Sequence, residues 1–142
     1  MDSKKYLSDS ARTVSEGYRS ISERLAPSVR PREDFHEDVA NLKYKIDLLH
    51  AAIGMQTEAA EFSDMLKKHI FYGKPLDKVN LKEELGDQLW YIAMALRALD
   101  TTFEAVMERN IEKLKARYPD KFTEELAENR DLDKEREILE NE

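Results

Sequence analysis

The chain has 142 residues, 30 acidic against 23 basic, for a formal charge of −7, and no cysteine. That length allows one domain with a core of its own. The missing thiols exclude disulfides, zinc-thiolate sites, iron–sulfur clusters and cysteine nucleophiles. The acidic balance argues against a grip on nucleic acid polymers, which needs basic surface. MDSKKYLSDS lacks the apolar stretch of a signal peptide, and the longest apolar run, Leu89 to Leu96, is too short to cross a bilayer. A cytoplasmic protein without membrane contact is expected.

In chain order, Leu7, Ala11, Val14, Tyr18, Ile21 and Leu25 recur by four and three, the stripe of one helix. Pro27 and Pro31 bracket a short linker. Phe35, Val39, Leu42, Ile46, Leu49 and Ile53 form a second stripe, re-phased after Gly54 onto Met55, Ala59, Phe62, Leu66 and Ile70. This is one long bent helix or two shorter ones. Tyr72 to Asn80 reads as a loop, with Asn80 and Glu83 as a capping box. The helix that follows carries Leu81, Leu85, Leu89, Ile92, Leu96 and Leu99. Its segment LWYIAMAL is apolar on every face, which suits the centre of a fold or a subunit interface. Thr101 with Glu104 opens another helix, stopped by Pro119, and a charged segment from Asp120 to Glu142 closes the chain. No strand pattern appears. The expected fold is all-α, a bundle of four or more helices, oligomeric, in one domain over 1–142 with its core at about 35–119 and an acidic tail at 120–142.

Pairs of carboxylates three residues apart are common in an acidic helical chain, so their surroundings must separate them. The tail pairs sit among other charges and read as a solvated face. Glu58/Glu61 and Glu84/Asp87 instead flank apolar stripes, so two helices each present two carboxylates at the margin of the core. Ionised groups there need counter-charge. Four convergent carboxylates with no histidine or thiolate suit Mg²⁺, with Mn²⁺ as a substitute. The plainer alternative is surface pairing with Lys67 or Lys82. Asn110, Lys113 and Arg117 share one flank of the next helix, at i, i+3 and i+7, and suit phosphate oxygens. Their plainer alternative is pairing with Glu108 or Glu112.

The ordered set Glu58-x-x-Glu61, a gap of 22 residues, Glu84-x-x-Asp87, then Asn110-x-x-Lys113-Leu-x-x-Arg117-Tyr-Pro resembles the MazG-like nucleotide pyrophosphohydrolases of the all-α superfamily. The stretches GMQTEAAEF, KKHIFYGKP, EELGDQLWYIA and KLKARYPDKF match as well. The resemblance implies hydrolysis of a nucleoside triphosphate, ribo or deoxyribo, to monophosphate and pyrophosphate, with a role in nucleotide-pool house-cleaning. It implies that Glu58, Glu61, Glu84 and Asp87 bind Mg²⁺ and that Lys113 and Arg117 bind the phosphate chain. Glu61 or Glu58 would act as the base, and Glu83 reads as a cap. It also implies a homodimer or homotetramer. The base-binding residues stay open among Trp90, Tyr91 and His50, each of which also reads as core or structural.

Two other readings stand beside this one. A di-iron bundle would use Glu33-x-x-His36 and Asp47-x-x-His50, both far from the paired glutamates. A non-enzymatic helical interaction module would use the apolar stripes alone.

Overall fold

The structure is a computed structural model that describes residues 2–13 and 35–140. Six α-helices make up the described residues, with no strand among them, so the all-α class holds. They are α1 (Ser3–Ser10), extended by a 3₁₀ turn at Ala11–Thr13, α2 (Phe35–Tyr72), α3 (Lys78–Ala98), α4 (Phe103–Arg117), α5 (Glu124–Glu128) and α6 (Leu132–Glu140). Val14 to Leu25 and the proline linker lie outside the described residues. No helix among the described residues is long and apolar enough to cross a membrane. The chain divides into two compact units, residues 1–100 and 101–142.

In the first unit α2 and α3 form a helical hairpin, and α1 packs on α3. The stripes on either side of Gly54 belong to one helix of 38 residues. It ends where Gly73 takes a positive φ of 65°, a conformation open to glycine. The Lys74 amide then returns to the Lys68 carbonyl at 3.2 Å, and His69 Nδ1–H donates to the Lys74 carbonyl at 2.7 Å.

The loop is shorter than expected, because α3 starts before Asn80. Asp77 is its N-cap and accepts from the Val79 and Asn80 amides at 3.0 and 3.1 Å. A carboxylate at that position satisfies two orphan donors and complements the helix dipole. Asn80 therefore lies inside the first turn, with its side chain available for another partner.

Small residues line the seam of the hairpin. Ala51, Gly54 and Ala93 are buried, with Ile46, Met94 and Leu96 beside them. A Cβ built on Gly54 would lie 2.1 Å from Tyr91 Cε1, so the Tyr91 ring rests directly on the backbone of α2. Of the apolar segment on α3, Ala93, Met94 and Leu96 are buried while Leu89 is exposed, as are Leu49, Ile53 and Leu85. α1 is held by polar contacts. The Tyr6 hydroxyl donates to the Gly86 carbonyl at 3.2 Å, and Arg97 Nη1 donates to Leu7 O and Ser10 Oγ at 3.0 and 2.6 Å.

In the second unit α6 packs on α4. The N-cap of α4 is Thr102, not Thr101, and it accepts from the Ala105 amide at 3.2 Å. Thr102 has the extended backbone that the cap position needs, three residues before the amide it satisfies. α4 ends at Arg117, ahead of Pro119, as expected. The charged C-terminal segment folds into α5 and α6 and carries a buried ion pair. Arg117 Nε donates to Glu135 Oε1 at 2.7 Å, Arg117 Nη2 bonds Glu135 Oε2, and Arg130 Nη2 reaches the same oxygen at 2.7 Å. Glu135 is only 5% exposed. The two guanidiniums hold its pKa down to about 2, and Glu135, followed by Tyr118, raises that of Arg117.

Two expectations follow. Gly54→Ala should destabilise the chain by about 1–3 kcal/mol through overpacking against Tyr91, outweighing a helix-propensity gain of about 1 kcal/mol. Thermal unfolding followed by circular dichroism reads this, and an unchanged or higher midpoint would show that the contact is slack. The Arg117–Glu135 pair makes a second. Because Glu135 is depressed from 4.5 to about 2, its stabilisation is complete above pH 4.5 and is lost as pH falls from there towards 2. Glu135→Gln should flatten that acid limb in an unfolding series across pH.

Candidate active site

Glu58 on α2 and Glu84 and Asp87 on α3 each place a carboxylate oxygen within 4.8 Å of the other two. The hairpin register brings them together: His50 and Gly54 meet Tyr91, one turn before the level at which Glu58 meets Asp87. Successive contacts run in opposite directions along the two helices. Glu84 is buried, Glu58 half-buried and Asp87 exposed. Glu61, the fourth carboxylate of the motif, stands outside this tight set. It is exposed and lines an adjoining cavity of about 440 Å³ with Asp64, Met65, Lys68, Asn80 and Glu84.

The charge on these carboxylates is left largely uncompensated. Asn80 Nδ2 donates to Glu84 Oε1 at 2.6 Å, and Thr57 Oγ1 donates to Glu58 Oε1 at 3.3 Å. Among the described residues, no lysine or arginine forms an ion pair with Glu58, Glu61, Glu84 or Asp87. Lys67, the partner offered by the plainer reading, is turned to Asp64 at 2.5 Å, and Lys68 joins it at 2.6 Å. Glu84 consequently holds its proton above the ordinary carboxylate range. Burial is the main cause, followed by the charge on Glu61 and the contact with Glu58, while the Asn80 amide opposes them.

This donor set fits a hard divalent cation. All the ligand atoms are carboxylate oxygens, they come from two rigid helices, and their separation is within a small side-chain adjustment of what one ion imposes. A cation would remove the like-charge penalty that burial otherwise places on Glu84.

A second cavity of about 450 Å³ adjoins the cluster, lined by Thr13, Glu58, Asp87, Trp90 and Tyr91. Trp90 Nε1–H donates to Thr13 Oγ1 at 2.6 Å, and the Trp90 and Tyr91 rings meet edge to face with centroids 4.9 Å apart. His50 is exposed and contacts the Tyr91 ring at 5.7 Å, outside the residues that line this cavity. Tyr6 lies at the Gly86 carbonyl between the two α3 ligands. Burial and the charge on Asp87 raise its pKa.

In the second unit, Asn110 and Lys113 line a groove together with Thr101, Ala105, Val106, Arg109 and Leu139. Arg117 is apart from that set, engaged by Glu135 and not by Glu108 or Glu112.

Tyr6, Thr13, Asn80 and Glu135 were not singled out by the sequence as site or partner residues. Only Asn80 left a signal, its i, i+4 spacing to Glu84.

A sequence model of the MazG nucleotide pyrophosphohydrolase domain matches residues 48–122, more than half of the chain. That match contains all four motif carboxylates and the polar stripe of α4. The chain belongs to the MazG nucleotide pyrophosphohydrolase family. It is also similar to the Gene 37 protein of Mycobacterium phage L5, with 32% identity over 77 residues, 49% of this chain and 65% of that protein. The chain thus spans less than two thirds of that curated relative. No solved structure matches it.

Glu84→Gln preserves an acceptor for Asn80 and removes the most crowded charge. The metal-free variant should melt a few degrees higher than the parent, and the upward shift produced by Mg²⁺ should largely disappear. Calorimetry with and without Mg²⁺ reads both. A metal-free variant that melts lower would sink the crowded-charge account.

Proposed function

We propose that the protein is a Mg²⁺-dependent nucleoside triphosphate pyrophosphohydrolase. It would join water to the α-phosphorus, break the bond to the β-phosphate, and yield a nucleoside monophosphate and pyrophosphate. The observation that carries this reading is the set of three carboxylates from two helices, within 4.8 Å of one another and, among the described residues, without an ion-paired lysine or arginine.

Glu58, Glu84 and Asp87 would hold the divalent ion, with Glu61 beside them. When bound, that ion supplies neutralisation of the triphosphate and acidification of water at the site. Glu61 stands outside the tight set and keeps an exposed carboxylate, which favours it over Glu58 as the group that takes the proton from water. Asn80 fixes the Glu84 carboxylate, and so orients a ligand from the first turn of α3. Trp90 and Tyr91 offer aromatic surface for a base in the cavity that also contains Glu58 and Asp87. On α4, Asn110 and Lys113 would hold phosphate oxygens and stabilise charge on the departing pyrophosphate. A role in nucleotide-pool house-cleaning in the cytoplasm fits this reaction. Leu49, Ile53, Leu85 and Leu89, all exposed, support assembly as a homodimer or homotetramer.

The test is turnover of a panel of ribo- and deoxynucleoside triphosphates with Mg²⁺, with pyrophosphate resolved from orthophosphate. Monophosphate plus pyrophosphate is the expected outcome, lost with EDTA and lowered about 100-fold or more by Asp87→Asn. No turnover by folded protein on any nucleotide would return the reading to a helical interaction module.

A further inference from the structure

Residues 2–13 lie ahead of the family match at 48–122, yet Thr13 lines a cavity of the candidate site. Directional bonds dock this segment on α3. The Tyr6 hydroxyl donates to the Gly86 carbonyl, which lies between Glu84 and Asp87 in the sequence. Arg97 Nη1 donates to Leu7 O and Ser10 Oγ, so a cation meets the C-terminal end of α1, where the helix dipole favours it. Ser10, only 7% exposed, also donates to Leu7 O at 3.1 Å. The 3₁₀ turn then carries the chain to Thr13, whose hydroxyl donates to the Ser10 carbonyl at 3.1 Å. With its one proton committed there, that oxygen offers lone pairs, and the Trp90 indole has a donor and no acceptor. The two meet at 2.6 Å. Trp90 is half-buried, one turn along α3 from Asp87, and lines the cavity with Thr13, Glu58, Asp87 and Tyr91. Its ring is met by the edge-to-face contact with Tyr91 and by the Thr13 bond. The second is the directional one, and it fixes how the plane of the ring turns.

We propose that this N-terminal segment sets which nucleobase the site accepts, with Thr13 as the positioning residue that holds the Trp90 indole at the angle at which a base stacks on it. The inference rests on the pyrophosphohydrolase reading, in which the base-bearing end of the substrate lies in the cavity beside Glu58 and Asp87. Stacking alone is tolerant, because every base has a π-face. A locked ring and a fixed wall turn that tolerance into a choice. The wall limits how far a base extends beyond the ring, and the ring cannot turn to suit a base of another shape. Thr13 acts through Trp90 and needs no contact with the substrate. Because its segment precedes the residues that the family model matches, this selectivity belongs to this chain and not to the shared domain.

The test uses the full chain, and Trp90, its single tryptophan, is the probe. Thr13→Val keeps the shape and removes the acceptor, whereas Thr13→Ser keeps the acceptor. Without nucleotide, Thr13→Val should lower the fluorescence anisotropy of Trp90 and shift its emission, and Thr13→Ser should stay close to the parent. With Mg²⁺ and a panel of nucleoside triphosphates, Thr13→Val should raise KM for the preferred nucleotide about fivefold, the loss of one hydrogen bond. The change should fall on KM and not on kcat, and the spread of kcat/KM across the bases should narrow. In a Trp90→Phe background, which has no N–H to hold, Thr13→Val should raise KM no further. A residue that only supports the fold would still act there, so a further rise would overturn the positioning role. Parent-like KM and base preference in an active Thr13→Val enzyme would overturn the proposal and leave the reaction standing. Quenching of Trp90 by nucleotides that weakens about fivefold in Thr13→Val, in a protein with no turnover, would overturn the reaction and keep the wall. Neither turnover nor quenching would overturn both.

Discussion

The separation of α2 and α3 sets what their polar edges can do, and it is set by the Tyr91 ring lying on the backbone at Gly54. With any side chain at that position the ring could not rest there. Ala51 and Ala93 keep the rest of the seam equally thin. Side chains of two packed helices meet across a seam only when the axes are close, and glutamate and aspartate differ in reach by one methylene. Glu58 from α2 and Asp87 from α3 come within 4.8 Å because the backbones have approached first. The apolar contact thus fixes the geometry of the charged one, at the cost of a glycine within a long helix.

Given that geometry, the placement of counter-charge decides which carboxylates are paired with a cation and which are not. The chain has 23 basic residues for 30 acidic ones, so cations are limiting. Lys67 and Lys68 both go to Asp64, one turn from Glu61, and hold its pKa near 2. Arg117 and Arg130 both go to Glu135. The cluster at Glu58, Glu84 and Asp87 receives an amide and a hydroxyl instead. The contrast between Glu135 and Glu84 shows the consequence. Both are buried carboxylates with hydrogen-bond donors, yet guanidinium partners pull the first down against burial, while burial, and then carboxylate neighbours, push the second up. A stability-driven arrangement would place a cation beside Glu84. Among the described residues Glu84 has the Asn80 amide instead.

The helical class and the carboxylate pairs were legible because their signals are local. Leu81, Leu85, Leu89 and Ile92 repeat at the helix period, and Glu84 and Asp87 share a face by spacing alone. Helix starts were less legible, because neighbouring residues competed for the same cap. Asp77 won over Asn80 as a carboxylate that reaches two amides, and Thr102 over Thr101 by one position of register. Convergence was readable only in part. Glu58, Glu84 and Asp87 close into a set, but Glu61 stands off, since i, i+3 spacing places a pair on one flank without stating how far each member reaches across a seam. Partners distant in sequence left no signal. Nothing in the spacing of Trp90 and Thr13, 77 residues apart, or of Arg117 and Glu135 announces their hydrogen bonds.

Arg117 shows most clearly why residue type and spacing under-determine a site. Arg109, Lys113 and Arg117 succeed one another by four residues, about 40° of rotation each, so their directions around α4 overlap. What separates them is the antiparallel course of α6. It starts near the C-terminal end of α4, so Glu135 reaches Arg117 first, and by Leu139 the helix has turned an apolar residue towards Arg109 and Lys113. A carboxylate engages Arg117, and a leucine faces Arg109 and Lys113. The charged C-terminal segment, which on composition alone reads as a solvated tail, is therefore what sorts the cations of α4, engaging Arg117 through Glu135 and leaving Arg109 and Lys113 on a groove beside Leu139.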